Sequence, residues 1–228
     1  MLANAPSVIS FDCYGTLVDW EAGISSFLTQ ILEQKRVVAD VAEVFKARED
    51  VEFELIQGAY RRYREILSLS LKEAFYRFSI PYDNRDGEQL AESVANWPVF
   101  MGTRPALEKL AEKSRLAIIS NIDNEIIERT RESIGVNFSL TVTAQHARAY
   151  KPSTNPFELA LKRLGCKSKD VLHVSSGFRY DMPPAHALGF RTAWINRKGE
   201  KKPAAHQPDY EFQSLTQLAD SFGSSTRS

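Results

Sequence analysis

The amino-acid sequence predicts an α/β protein: a Rossmann-like parallel sheet core with a helical segment inserted after its first strand. Three observations carry that prediction. The apolar run Val8-Ile9-Ser10-Phe11 ends on Asp12 and meets Gly15 three residues later, as a buried strand does when it enters a sharp turn. Residues 21–96 place their apolar side chains at helical spacing, with no strand-like alternation. After residue 97, short apolar runs alternate with helical patterns, which predicts parallel strands joined by crossover helices.

In the inserted segment, Ile24, Phe27, Leu28, Ile31 and Leu32 define one helix. A second helix is expected over about 40–69, and two shorter ones over 71–78 and 87–95, separated by the turn-rich Ile80-Pro81-Tyr82-Asp83-Asn84. Trp97-Pro98-Val99-Phe100 brings the chain back to the core, since the residue before a proline avoids the helical conformation. A helix over 103–113 has Pro105 in its first turn. The strand 115–121 ends on Ser120 and Asn121, and a helix over 123–133 and a short strand over 140–143 follow. Pro152 and Pro156 bracket the start of a helix that Gly165 stops after Leu164. The strand 171–175 comes next, with Asp181 just beyond it, then a helix near 183–188. A strand over 191–195, an edge strand over 210–212 and a helix over 215–222 complete the core, and the tail from Gly223 reads as disordered. The expected division is a core of residues 1–20 and 97–228 and a helical domain of residues 21–96.

Composition excludes several classes. Lys plus Arg and Asp plus Glu both number 29, so no basic excess points to nucleic acid. No apolar run reaches the roughly 18 residues of a membrane span. The N-terminus lacks a basic stretch followed by an apolar one, so a cytoplasmic location is expected. Cys13 and Cys166 are too few for a disulfide framework or a zinc cluster.

Polar residues then fall at the expected strand ends: Asp12, Ser120-Asn121, Ser175-Ser176 and, in loops, Lys151 and Asp181. Open α/β sheets gather their ligands at the C-terminal ends of their strands, which makes Asp12 a candidate nucleophile. The stretch Asp12-Cys13-Tyr14-Gly15-Thr16-Leu17 resembles the first motif of the haloacid dehalogenase superfamily, in the Asp-x-Tyr form of its 2-haloacid dehalogenase branch. Ser120-Asn121, Lys151 and Ser175-Ser176 with Asp181 follow in the superfamily's order.

The resemblance implies that the helical segment is a cap and that the protein is a metal-independent hydrolase without a cofactor. It would displace halide from a small 2-haloacid through an ester on Asp12. Lys151 would keep Asp12 ionised, Thr16 and Ser175 would add hydrogen bonds, and Asp181 would orient or activate water. Ser120 and Asn121 would bind the substrate carboxylate or the departing halide, and Tyr14 would line the pocket. Lys46 and Arg48 both lie near the expected place of the cap arginine that receives the halide. The partner implied is a small carboxylate substrate, and a homodimer is compatible with the resemblance.

The superfamily's phosphatases protonate a leaving alkoxide with a second aspartate, at the position Tyr14 occupies here; a phenol is no comparable acid near neutral pH. Ser175-Ser176 replaces their usual Gly-Asp pair, removing a carboxylate that Mg²⁺ prefers. The chain departs from the dehalogenase pattern at Gly177, usually asparagine, at Asp181, one residue late, and at Phe157, commonly tyrosine. A phosphatase for a small phosphate ester and a non-catalytic binding protein are therefore the competing readings. Bland roles are expected for Cys13 (buried filler), His173 (core or sheet face), Arg61-Arg62-Tyr63-Arg64 (solvated helix face) and 196–202 (solvated loop).

Overall fold

The computed structural model describes residues 5–201 and 203–222; Lys202 and the tail from Gly223 lie outside the described residues. The chain forms two compact units. Among the described residues, one holds 5–18, Val99–Asn121 and 134–222; the other holds Asp19–Pro98 and Ile122–Ser133.

The first unit contains a six-stranded, wholly parallel sheet. Its strands are β1 (Val8–Phe11), β2 (Arg115–Ser120), β3 (Leu140–Thr143), β4 (Val171–Ser175), β5 (Arg191–Ile195) and β6 (Tyr210–Phe212), in the spatial order β3-β2-β1-β4-β5-β6. The chain runs outward from β1 to β3 on one side and from β4 to β6 on the other, so the order reverses between β1 and β4. That reversal leaves a crevice at the strands' C-terminal ends. The central strands are buried along their length, as a parallel sheet covered on both faces requires.

Register sets which side chains share a face. Ser10 lies opposite His173, and Val8 opposite Val171. With a period of two, Asp12 and Ser175 stand one step further along the same face. Below them that face packs into the core of Val8, Val171, Phe157 and Phe190.

The helical unit contains α1 (Trp20–Lys35), α2 (Val41–Ile56), α3 (Tyr63–Arg77) and α4 (Asn84–Ser93). The helix expected over 40–69 is two helices, broken at residues 57–62 around Gly58, and α3 then runs through Ser70 without interruption. Asp19 caps α1 through Ala22 N, Asp40 caps α2 through Ala42 N, and Asp83 and Asp86 form a capping box on α4. The start of α3 has no such local cap. Its first amides, Tyr63 N and Arg64 N, donate to the two carboxylate oxygens of Asp123, each at 3.0 Å. This bond explains why Ile122–Ser133 groups with the helical unit, although its position in the chain is that of a core element.

The remaining helices are α5 (Thr103–Ala111), α6 (Asn124–Ile134), α7 (Ala144–Ala147), α8 (Asn155–Leu164), α9 (Phe178–Ala187) and α10 (Leu215–Ser221). The helix expected near 183–188 begins five residues earlier. Asp181 therefore sits in the first turn of α9, with its carboxylate near the positive end of the helix, and Pro183 and Pro184 follow inside that helix.

Candidate active site

Asp12 follows β1 directly, and Gly15 at φ 97° turns the chain back, with Gly15 N donating to Val18 O at 2.7 Å. The turn carries Thr16 under the aspartate. Its hydroxyl donates to Asp12 Oδ2 at 2.9 Å, and the Ser176 amide donates to that same hydroxyl oxygen at 2.9 Å.

Lys151 reaches Asp12 from the loop between α7 and α8. Its Nζ donates to Asp12 Oδ1 at 2.8 Å, Asp181 Oδ1 at 2.7 Å and Ile119 O at 3.0 Å. An ammonium has three N–H bonds, and all three are used within the protein. Lys151 is therefore an orienting cation rather than a direct substrate ligand. The Asn121 side chain fixes its backbone: Nδ2 donates to Lys151 O at 3.0 Å, and Oδ1 accepts from Lys151 N at 2.7 Å.

Asp181 is bonded more fully than Asp12. Oδ1 accepts from Lys151 and His173 Nε2 (2.8 Å), and Oδ2 accepts from Ser175 Oγ (2.8 Å). Its side chain is 1% exposed against 10% for Asp12, so Asp12 is the carboxylate a substrate can reach.

One ammonium serves two buried carboxylates. Burial raises the Asp12 carboxyl; Lys151 opposes that and Asp181 adds to it, leaving Asp12 above the ordinary value of 3.8. Burial also acts to raise Asp181, but Lys151 and His173 outweigh it and hold this carboxyl below 3.8. For Lys151, burial favours the neutral amine, and the two aspartates together reverse this and raise its pKa. Asp181 is thus the fixed anion, and Asp12 is the less tightly held, more basic carboxylate.

Asp12, Thr16, Lys151, Ser175 and Asp181 meet in one cluster. Ser120 lies nearby in sequence to Asn121, fully buried, and its Oγ has no hydrogen-bond partner among the described residues. Tyr14 is half-buried on the Asp12 turn. Lys46 and Arg48 belong to the helical unit and differ sharply. Lys46 is exposed, whereas Arg48 is fully buried, paired with Glu52 and donating to Ser70 Oγ at 3.4 Å. Its Nε and Nη2 have no hydrogen-bond partner among the described residues.

Two residues with unassuming sequence contexts belong to the site. His173 bonds Asp181 and, through Nδ1, Ser10 Oγ at 2.9 Å. The alternation of β4, which puts residue 173 on the face of Ser175, was the signal that could have found it. Arg197, in the run expected to be a solvated loop, is half-buried instead. Its guanidinium lies 3.9 Å from the centroid of the Phe100 ring and donates to Gly15 O (2.8 Å) and Thr16 O (2.7 Å), clamping the turn that carries Thr16. No sequence signal distinguishes it from its exposed neighbours.

The fit of the Mg²⁺ that the fold's phosphatases use can be tested on these donors. Mg²⁺ requires several hard oxygens with free lone pairs. Asp181 is enclosed and its oxygens are engaged by Lys151, His173 and Ser175, and Ser176 and Tyr14 bring no carboxylate. Among the described residues no group of three or more His, Cys, Asp or Glu side chains could share a metal ion. The donor set does not fit Mg²⁺.

A parallel α/β sheet presents a lysine-oriented aspartate at its switch point, and the protein that carries it is a hydrolase. The chain belongs to the haloacid dehalogenase-like hydrolase family, whose pattern it matches over residues 6–189. It is 29% identical over 196 residues to haloacetate dehalogenase H-2 of Moraxella sp. (strain B), covering 84% of this chain and 86% of that protein. It is 25% identical over 221 residues to the (S)-2-haloacid dehalogenase of Pseudomonas sp. (strain YL), covering 94% and 93%. The fold is also that of the L-2-haloacid dehalogenase RSc1362, with a TM-score of 0.86 at 23% identity, covering 96% of this chain and all of that one.

Proposed function

We propose that this hydrolase is a metal-independent 2-haloacid dehalogenase acting through an ester on Asp12. The observation that carries the reading is the Asp12–Lys151–Asp181 cluster, in which the single reachable carboxylate is oriented by a saturated ammonium and no acid stands where a leaving alkoxide would need one. The two dehalogenase relatives support it.

In this mechanism an oxygen of Asp12 attacks C2 of the 2-haloacid in line with the carbon–halogen bond. That bond breaks with its electron pair, and halide leaves as a stable anion that needs no proton. The product is an ester on Asp12. Water then adds to the ester carbonyl, the acyl C–O bond breaks, and the departing alkoxide takes one water proton to become a 2-hydroxy acid of inverted configuration. The other proton goes to solvent, and Asp12 is restored with one oxygen from water. Thr16 and Lys151 hold Asp12 for the attack.

Asp181 orients the water as an acceptor. Its Oδ2 accepts from Ser175 Oγ, and a Cβ at position 177 would come within 3.2 Å of that oxygen. The unpartnered Ser120 hydroxyl is a ready donor for the substrate carboxylate. Asn121, committed to the Lys151 backbone, acts by holding that lysine. Within the helical unit Arg48 has donors to spare, whereas Lys46 is exposed.

The test is a panel of 2-haloacids and phosphate monoesters, each with Mg²⁺ or with chelator, read as free halide and free phosphate. Halide release that survives chelator is the expected result. Efficient Mg²⁺-dependent phosphate release without halide release would make the phosphatase reading the correct one.

A further inference from the structure

The proposed chemistry does not call on His173, yet its environment is unusual for a residue in the middle of a buried strand. The imidazole is fully enclosed, and within the sheet face it meets two polar side chains, Ser10 and Asp181. Its ring is wedged edge-on against Phe157 (5.0 Å between centroids, 75° between planes) and Phe190 (6.4 Å, 79°). Those walls fix its plane, so its two nitrogens point along the Ser10–Asp181 line.

The partners also fix its hydrogens. An ionised Asp181 can only accept, so Nε2 carries the proton it shares with Oδ1. In the neutral ring Nδ1 is then the acceptor, and Ser10 Oγ–H is its donor. Ser10 and His173 are register partners on β1 and β4, one step below Asp12 and Ser175. The face therefore carries a continuous bonded column from Ser10 through His173 and Asp181 to Lys151 and Asp12. Buried polar groups in so dry a position are costly unless each is satisfied, and here each link is.

We propose that His173 is a positioning residue for the hydrolytic half of the reaction, fixing the Asp181 carboxylate through Nε2–H so that ester breakdown depends on it more than ester formation does. This inference rests on the mechanism proposed above. The asymmetry follows from the bonds. Asp12 keeps its own two donors, Lys151 and Thr16, when His173 is changed. Asp181 loses one of three, and the strong field of Lys151 is then free to draw its carboxylate away from the water it orients.

The test compares His173→Phe, which keeps an aromatic ring between Phe157 and Phe190, with His173→Gln, whose amide N–H can replace Nε2–H. Rapid mixing with (S)-2-chloropropionate gives the first-turnover chloride release. Quenched samples analysed by mass spectrometry give the fraction of protein carrying the ester. For His173→Phe, ester breakdown is expected to slow by about tenfold to a hundredfold, the worth of one hydrogen bond to a charged acceptor. First-turnover chloride release should stay within about threefold under the same bookkeeping, so the ester accumulates. His173→Gln should recover most of the loss. Equal slowing of both steps, or no slowing of breakdown, overturns the proposal.

A second arm needs no substrate: the ¹³C-carboxyl resonance of Asp181 should titrate at higher pH in His173→Phe than in the wild type. If the wild type releases no halide and forms no ester, the dehalogenase reading fails on that result alone, and the carboxyl titration judges His173. An unmoved titration then overturns the pairing as well.

Discussion

Among the described residues two Lys or Arg side chains are buried, one in each unit, and they are built in opposite ways. Lys151 is complete: each of its three N–H bonds ends on a protein oxygen, and two of those oxygens are carboxylates. Arg48 is incomplete: Glu52 and Ser70 answer one nitrogen, while Nε and Nη2 have no hydrogen-bond partner among the described residues. A saturated buried cation can only position its neighbours. A buried cation with unanswered donors pays a desolvation cost that an arriving anion would relieve. The comparison separates a cation whose hydrogen bonds are all made from one with donors left over, and four substitutions probe it.

The largest effect is expected at the carboxylate Lys151 holds. Asp12→Asn keeps the shape and removes the nucleophile, so turnover should fall by about four orders of magnitude or more, as when other covalent nucleophiles are removed. The fold should persist by circular dichroism. In wild type, a single turnover in ¹⁸O-water should place label in the Asp12 carboxylate; label found in the product alone would eliminate the ester.

Lys151→Met comes next. It leaves two buried carboxylates facing each other, so about 3–5 kcal/mol of stability should be lost, read by denaturant unfolding. The pH profile sharpens the same point. Asp12 is already raised above 3.8 by burial, so turnover falls as pH drops through its folded pKa and is full above it. Removing the cation that opposes the rise must move that acid limb to still higher pH. A limb that stays in place would show that Lys151 does not set the nucleophile's charge.

Arg48→Gln addresses the incomplete cation. If its free donors meet an anion, the loss should appear in KM or in the halide-releasing step, at about tenfold to a hundredfold, with the stability of the sheet unit unchanged. An Arg48→Gln variant with wild-type kinetics would make Arg48 a purely internal partner of Glu52. The smallest effect is expected for Arg197→Met, which removes two hydrogen bonds to the backbone of the Asp12 turn but no reacting group. A loss of about threefold to thirtyfold in turnover, with KM little changed, would fit a clamp on that turn.

Much of the architecture was legible from the sequence because its causes are local. The run Val8–Phe11, the glycine stop after Leu164 and the β-branched stretches at 115–120 and 171–175 each encode their own conformation. Asp12, Lys151, Ser175 and Asp181 could be singled out because the polar positions follow a superfamily's order along the chain, and Asp-x-Tyr in place of Asp-x-Asp carries its chemical meaning in two residues. Tertiary structure decided whatever depends on partners distant in sequence. The break before α3 is capped by Asp123, 60 residues away, so no local pattern announces it. Asn121 stands beside Ser120 in the sequence, and only the fold shows its side chain bonded to the backbone of Lys151. Arg197 looked like one charge among several in a loop until Gly15, Thr16 and Phe100 gathered around it. The inequality between Asp12 and Asp181 arises in the same way: both are aspartates in the sequence, and their difference comes from how many donors the folded chain aims at each.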